Sequence, residues 1–183
     1  MILGVCQSEL PWGDSFGVTA EDVDRICEEA AALGAESIRV SCLWQQIEPN
    51  RNGQYHFTNL DRAVDAAEAN GLDILLIVEP RRVSWTALFG IPQGIKANST
   101  NARDYGLMCG AIAQRYGDRI KYWEIGNEVN NLAFFGAPRT PSKYIPFLQH
   151  AYDNIMPYAP NATILAGALM AVGTGWPSLD PGS

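Results

Sequence analysis

Ile120-Lys121-Tyr122-Trp123-Glu124-Ile125-Gly126-Asn127-Glu128-Val129-Asn130 begins as an apolar and aromatic run and closes on an amide beside a carboxylate. From Ile120 to Ile125 the residues alternate and favour β structure, which predicts a buried strand. The strand ends in Gly126-Asn127-Glu128. Successive side chains of a regular strand point to opposite faces. At a strand end the backbone can bend, and Gly126 permits that bend, so both polar groups can reach one cleft. A lone Asn-Glu pair is commonly a solvated turn. Here the context adds weight: Trp123 lies four residues before Asn127, and the preceding chain repeats a strand–helix unit.

The repeat runs from the first residues. Ile2 to Ser8 reads as a strand, followed by a loop, Glu9 to Asp14, that carries Trp12. Thr19-Ala20-Glu21-Asp22 is a capping box with Asp in place of Glu. The helix it opens runs to about Leu33, with Val23, Ile26, Cys27, Ala30 and Leu33 inward, and Gly34 ends it. Ser37 to Trp44 is a second strand, apolar except for Arg39, whose burial is costly unless the charge is paired. In the loop that follows, Glu48 reads as structural and His56 as a surface residue. Thr58-Asn59-Leu60-Asp61 is a second box, opening a helix with Leu60, Ala63, Val64 and Ala67 inward. Asp73 to Val78 is a third strand, a continuous apolar run of the kind covered on both faces, and Glu79 closes it. Residues 81–101 read as a long loop with Arg81, Arg82 and Trp85, and a helix follows from about Ala102 to Tyr116. After Glu128, Phe134 and Phe135 read as packing residues of a loop. Thr140-Pro141 opens a helix to about Tyr158. Ala162 to Met170 is a fifth strand, and residues 171–183 form an open loop. Five strand and four helix patterns in βα order predict one α/β domain with a parallel sheet. Where such a sheet closes into an α/β barrel, strand C-terminal ends carry the chemistry.

The composition is that of a globular domain, 47% hydrophobic and 18% charged, with a formal net charge of −7. That balance argues against nucleic acid and anionic membrane as partners, since both favour basic patches. No basic region leading into an apolar run and cleavage site opens the chain, so no signal peptide is expected. No apolar stretch approaches the ~20 residues of a membrane span. Cys6, Cys27, Cys42 and Cys109 sit in apolar-periodic segments and read as buried free thiols. They suggest a reducing compartment, or export as part of a larger assembly. No His/Cys/Asp cluster suggests a metal, and no cofactor is expected.

Trp123-Glu124-Ile125-Gly126-Asn127-Glu128 resembles the fourth-strand signature of the clan of retaining glycoside hydrolases built on the (β/α)₈ barrel, the β-xylosidase and β-galactosidase branches above all. Trp44 and Ile47-Glu48-Pro49, then Gly53 and an aromatic, resemble it too. The resemblance implies a partial (β/α)₈ barrel, because a complete one takes about 250 residues and roughly 200 at the least. It implies hydrolysis of a glycosidic bond with retention. Glu128 would be the general acid/base, Asn127 would bind the sugar 2-hydroxyl, and Arg39 would hydrogen-bond the nucleophile. That nucleophile ends the clan's seventh strand, which is absent from this sequence. Retention needs two carboxyl groups roughly 5–5.5 Å apart. Glu79 is the within-chain candidate for the second, with pairing to Arg81 or Arg82 as its plainer reading. Trp12, Trp44 and Trp85 are candidate surfaces for sugar stacking, and Trp12 equally suits plugging the barrel mouth. A carbohydrate is the implied ligand. Three readings stand: the N-terminal portion of a larger glycosidase; a barrel completed by a partner chain, as in a virion or tail; and a catalytically incomplete glycan-binding or structural module.

Overall fold

The computed structural model describes residues 3–14, 17–51, 53–80, 87–88, 91–135 and 140–171. Five strands form one parallel sheet: β1 (Gly4–Cys6), β2 (Ser37–Leu43), β3 (Asp73–Glu79), β6 (Tyr122–Asn127) and β7 (Thr163–Ala168). Their spatial order is their chain order, β1-β2-β3-β6-β7. Each crossover therefore steps the same way, and right-handed crossovers put all the connecting helices on one face. This is the winding of a barrel rather than of a doubly wound sheet. A two-stranded antiparallel pair, β4 (Ala87–Leu88) and β5 (Ile91–Ile95), lies within the span expected to be loop throughout.

The connecting helices are α1 (Ala20–Ala32), α3 (Thr58–Ala69), α4 (Ser99–Tyr116) and α6 (Pro141–Ile155), with short turns α2 (Trp44–Ile47) and α5 (Leu132–Phe135). At α1 the capping box forms as the sequence predicts: Thr19 accepts from the Asp22 backbone and Asp22 accepts from the Thr19 backbone. Its inward face is narrower than expected. Val23, Cys27 and Ala30 are buried, but Leu33 is 75% exposed, because it is the C-cap and turns off the stripe. The second box does not form. Phe57 takes the cap position of α3 and makes no side-chain cap. Asp61 turns instead to Arg115, accepting at 2.6 and 2.7 Å, and to the Tyr116 hydroxyl at 2.8 Å. A bidentate guanidinium with a phenol outcompetes a single amide for the carboxylate.

The core lies between sheet and helices. Ile38, Val40 and Cys42 of β2, Ile74, Leu76 and Val78 of β3, and Trp123 and Ile125 of β6 all belong to it. By the two-residue alternation, Arg39, Ser41, Leu75, Ile77, Glu79, Tyr122 and Glu124 point to the opposite, concave face. All four cysteines are free thiols; three are buried, but Cys6 is exposed, since β1 is an outer strand.

Candidate functional site

The polar residues of the concave face converge at the C-terminal halves of the strands. Arg39 and Glu124 form the centre. The Arg39 Nε donates to Glu124 Oε2 and its Nη2 to Glu124 Oε1, both at 2.9 Å. This two-pronged pair spans β3, which separates β2 from β6. The Glu124 side chain is 7% exposed and that of Arg39 26%. A buried carboxylate needs its remaining lone pairs filled, and the Ala168 backbone N–H on β7 donates to Glu124 Oε1 at 3.0 Å. Burial pulls the Arg39 guanidinium down, but hydrogen bonds and charge from Glu124 outweigh it, and its pKa stays above the ordinary arginine value.

Arg39 also organises its neighbours. Nη2 donates to Asn127 Oδ1 at 3.2 Å, and Nη1 lies 3.6 Å from Cys6 Sγ. Arg39 and Asn127, two of the residues singled out in the sequence, are thus in contact. Glu124 was not singled out, and Cys6 only as a buried thiol. Glu124 had a signal: it is the charged side chain inside the Tyr122 to Ile125 run, as Arg39 is in its own, and each needs a partner.

Glu128 follows directly. It is the one non-glycine residue among those described with a left-handed backbone, φ 46°, and Gly126 before it has φ 80°. Holding an L-residue there costs about 1–2 kcal/mol, and such costs persist where surroundings over-determine the conformation. The surroundings do so here. The Asn131 backbone N–H donates to the Glu128 carbonyl at 2.7 Å. Tyr144 of α6 donates its hydroxyl to the Ile125 carbonyl at 2.7 Å and accepts from the Gly167 N–H at 2.8 Å. The β6–β7 ladder runs through Ile125↔Ala166 and resumes at Asn127↔Ala168. The bend at Gly126 thus turns the backbone so that Asn127 keeps its place in the sheet while Glu128 leaves it.

The remaining candidates fall elsewhere. Trp44 is fully buried, its indole N–H donating to Glu48 Oε2 at 2.9 Å and its ring packed edge-on to Tyr105. It offers no face to a sugar, and its assignment as a stacking surface is corrected. The cause is its place in the core, where the ring packs against Tyr105 and the N–H is taken by Glu48. Glu48 is structural as expected, also accepting from the Gly53 N–H at 3.0 Å. Trp12 is 8% exposed, with its indole N–H on the Ser41 carbonyl at 3.0 Å, so the plugging alternative describes it better than an open platform. Glu79 is 3% exposed and accepts from the Ser41 hydroxyl. Trp85, Arg81 and Arg82 lie outside the described residues. Phe135 packs on Tyr144 and Phe147, ring centroids 5.7 and 5.2 Å away. Among the described residues, no group of three or more His, Cys, Asp or Glu side chains is placed to hold a metal ion. Nor is any described helix long and apolar enough to cross a membrane.

The family model for cellulase, glycosyl hydrolase family 5, matches residues 3–169. Solved structures share the fold. A GH5_18 variant from Streptomyces cattleya in complex with Manβ1-4GlcNAc is similar at TM-score 0.71 and 19% identity, over 91% of this chain and 44% of its own. A β-galactosidase from the psychrophilic Marinomonas ef1 is similar at TM-score 0.69 and 15% identity, over 91% and 37%. A family 39 glycoside hydrolase from the gut symbiont Bacteroides cellulosilyticus is similar at TM-score 0.65 and 18% identity, over 90% and 31%. The chain spans less than half the length of each. Its five parallel strands, wound in one direction with polar side chains gathered on the concave face, are therefore part of a (β/α)₈ barrel, and the chain belongs to glycosyl hydrolase family 5.

Proposed function

We propose that this chain supplies the acid/base side of a retaining glycosidase site acting on the O-glycosyl bonds of an oligo- or polysaccharide. The observation that carries the reading is the left-handed turn placing Glu128 just beyond β6, next to Asn127, whose amide oxygen Arg39 holds. Glu128 protonates the departing oxygen, then takes a proton from the incoming water. With Oδ1 accepting from Arg39, Asn127 presents its N–H₂ as a donor to the sugar 2-hydroxyl. Arg39, paired with Glu124, adds a fixed cation beside Asn127. The two buried carboxylates of the sheet are engaged, Glu124 by Arg39 and Glu79 by Ser41. As the resemblance to the clan implies, the nucleophile is assigned to a carboxylate at the end of a seventh strand, outside these 183 residues. Glycan binding without turnover is the alternative.

The test is hydrolysis of a panel of aryl β-glycosides by the completed barrel, this chain together with the residues that supply the nucleophile, with Glu128→Gln beside it. Loss of a general acid/base lowers turnover by about 10²–10⁴-fold. Release that falls by that much in the variant supports the reading. Equal release by both proteins sinks it. Folded protein that binds glycan and releases no aglycone favours the binding alternative.

A further inference from the structure

The turn that carries Glu128 is tied down from two directions. Within the turn, the Asn131 side-chain Nδ2 donates to Glu128 Oε2 at 2.9 Å. The same nitrogen lies 3.4 Å from Met170 Sδ. Beside it, Asn130 and Met170 exchange two hydrogen bonds: Asn130 Nδ2 to the Met170 carbonyl at 3.0 Å, and the Met170 N–H to Asn130 Oδ1 at 2.8 Å. That exchange imitates a ladder pair. It extends the β6–β7 contact past its last strand pair, Asn127↔Ala168. The turn is therefore anchored to the segment after β7, and Asn131 is anchored with it.

We propose that Asn131 is the positioning residue of Glu128, and that by holding Oε2 it leaves Oε1 as the oxygen that carries the proton. The proposal rests on the acid/base reading of Glu128. A protonated carboxyl keeps one oxygen that is acceptor only and one that bears the proton. An amide N–H is best received by the acceptor-only oxygen. Asn131 occupies Oε2, so the hydroxyl falls on Oε1. In the carboxylate form the same bond persists. Donation and recovery of the proton then use one atom in one orientation, without rearranging the site between the two half-reactions. Asn131 touches Glu128 and acts through it.

Two measurements test this. The first needs no activity. The Asn131 side-chain amide is followed by ¹⁵N–¹H NMR, identified by its loss in Asn131→Ala. Bound to a carboxylate, its signal should move in Glu128→Ala and, should that variant not fold, in Glu128→Gln. An unmoved signal overturns the tether. The second uses the completed barrel, this chain with the residues that supply the nucleophile, and compares kcat/KM on a phenyl glycoside, whose poor leaving group needs the acid, with a 2,4-dinitrophenyl glycoside, whose leaving group does not. Asn131→Ala should lower the first about 10–100-fold and leave the second within about threefold. Equal losses on both would mean a merely structural role and overturn the positioning. A wild type inactive on both substrates would overturn the acid/base reading and the role built on it, while the NMR shift still decides whether the tether exists.

Discussion

Arg39 shows how far a single residue can be read. A cation inside an apolar strand demands a partner, and the chain supplies Glu124 at two bonds of 2.9 Å. The demand is legible in the sequence. The partner's identity is not, because it depends on the register of β2, β3 and β6. Removing one member of a buried pair strands the other, at about 3–5 kcal/mol. Arg39 is a quarter exposed, so Arg39→Met should destabilise by about 3 kcal/mol in urea unfolding, the low end of that range. The double variant Arg39→Met with Glu124→Leu should lose less than the single one, since no charge is left buried alone. The thiols divide on the same principle. Burial pushes the Cys27 thiol up to about 11, and Cys42 and Cys109 well above the ordinary cysteine value. The thiolate is the reactive form. An aromatic disulfide reagent should therefore titrate one thiol in the native protein, lost in Cys6→Ser, and four after unfolding.

At the scale of elements, close approach decides more than propensity. Gly106 of α4 faces α6 so tightly that an added Cβ would stand 2.6 Å from the His150 Cβ and 2.8 Å from its carbonyl. Gly106→Ala raises helix propensity, yet it must push the helices apart. Overpacking of this kind costs typically 1–3 kcal/mol, so Tm should fall rather than rise. The contact between α3 and α4 carries a pH dependence. Burial raises the Asp61 pKa, but the hydrogen bonds from Arg115 and Tyr116 outweigh that and hold it below the ordinary aspartate value. A depressed carboxylate pKa stabilises the fold above the unfolded value of about 3.9. That stabilisation fades as pH falls through the folded value. In acid titrations followed by circular dichroism, the stability lost below about pH 4 should be smaller in Asp61→Asn than in the wild type. The Thr58 box misled because its Asp had a better offer from Arg115, 54 residues on, which no local pattern reveals.

Across the whole molecule, one-directional winding leaves β1 and β7 as the outer strands of the five-stranded sheet. Beside β7 runs a groove of about 810 Å³ whose lining includes Ile145, Leu148, Tyr152, Met156 and Ile164. Ile145 and Tyr152 are 52% and 50% exposed. Patches of this kind bind apolar dyes and mark interaction surfaces. The native chain should therefore enhance ANS fluorescence. Ile145→Lys with Tyr152→Lys should remove most of that signal without lowering the urea midpoint, since both side chains already face outward. Full dye binding by the double variant would show that the groove is not the dye site.

The sequence by itself determined the βα rhythm, the five parallel strands, the capping of α1 and the strand-end placement of Asn127 and Glu128. These follow from hydrophobic period and local turn chemistry, which act over a few residues. Tertiary structure alone decided that Arg39 meets Glu124 and Asn127, that Trp44 is buried against Tyr105, and that Asn131 holds Glu128. It also decided that Cys6 is exposed, on an outer strand. Each of these depends on strand register, on a backbone bend or on contacts between elements. A shift of one residue would turn Arg39 and Glu124 from the concave face to the helices, and the apolar pattern encodes which face each strand buries, not which side chains meet across it.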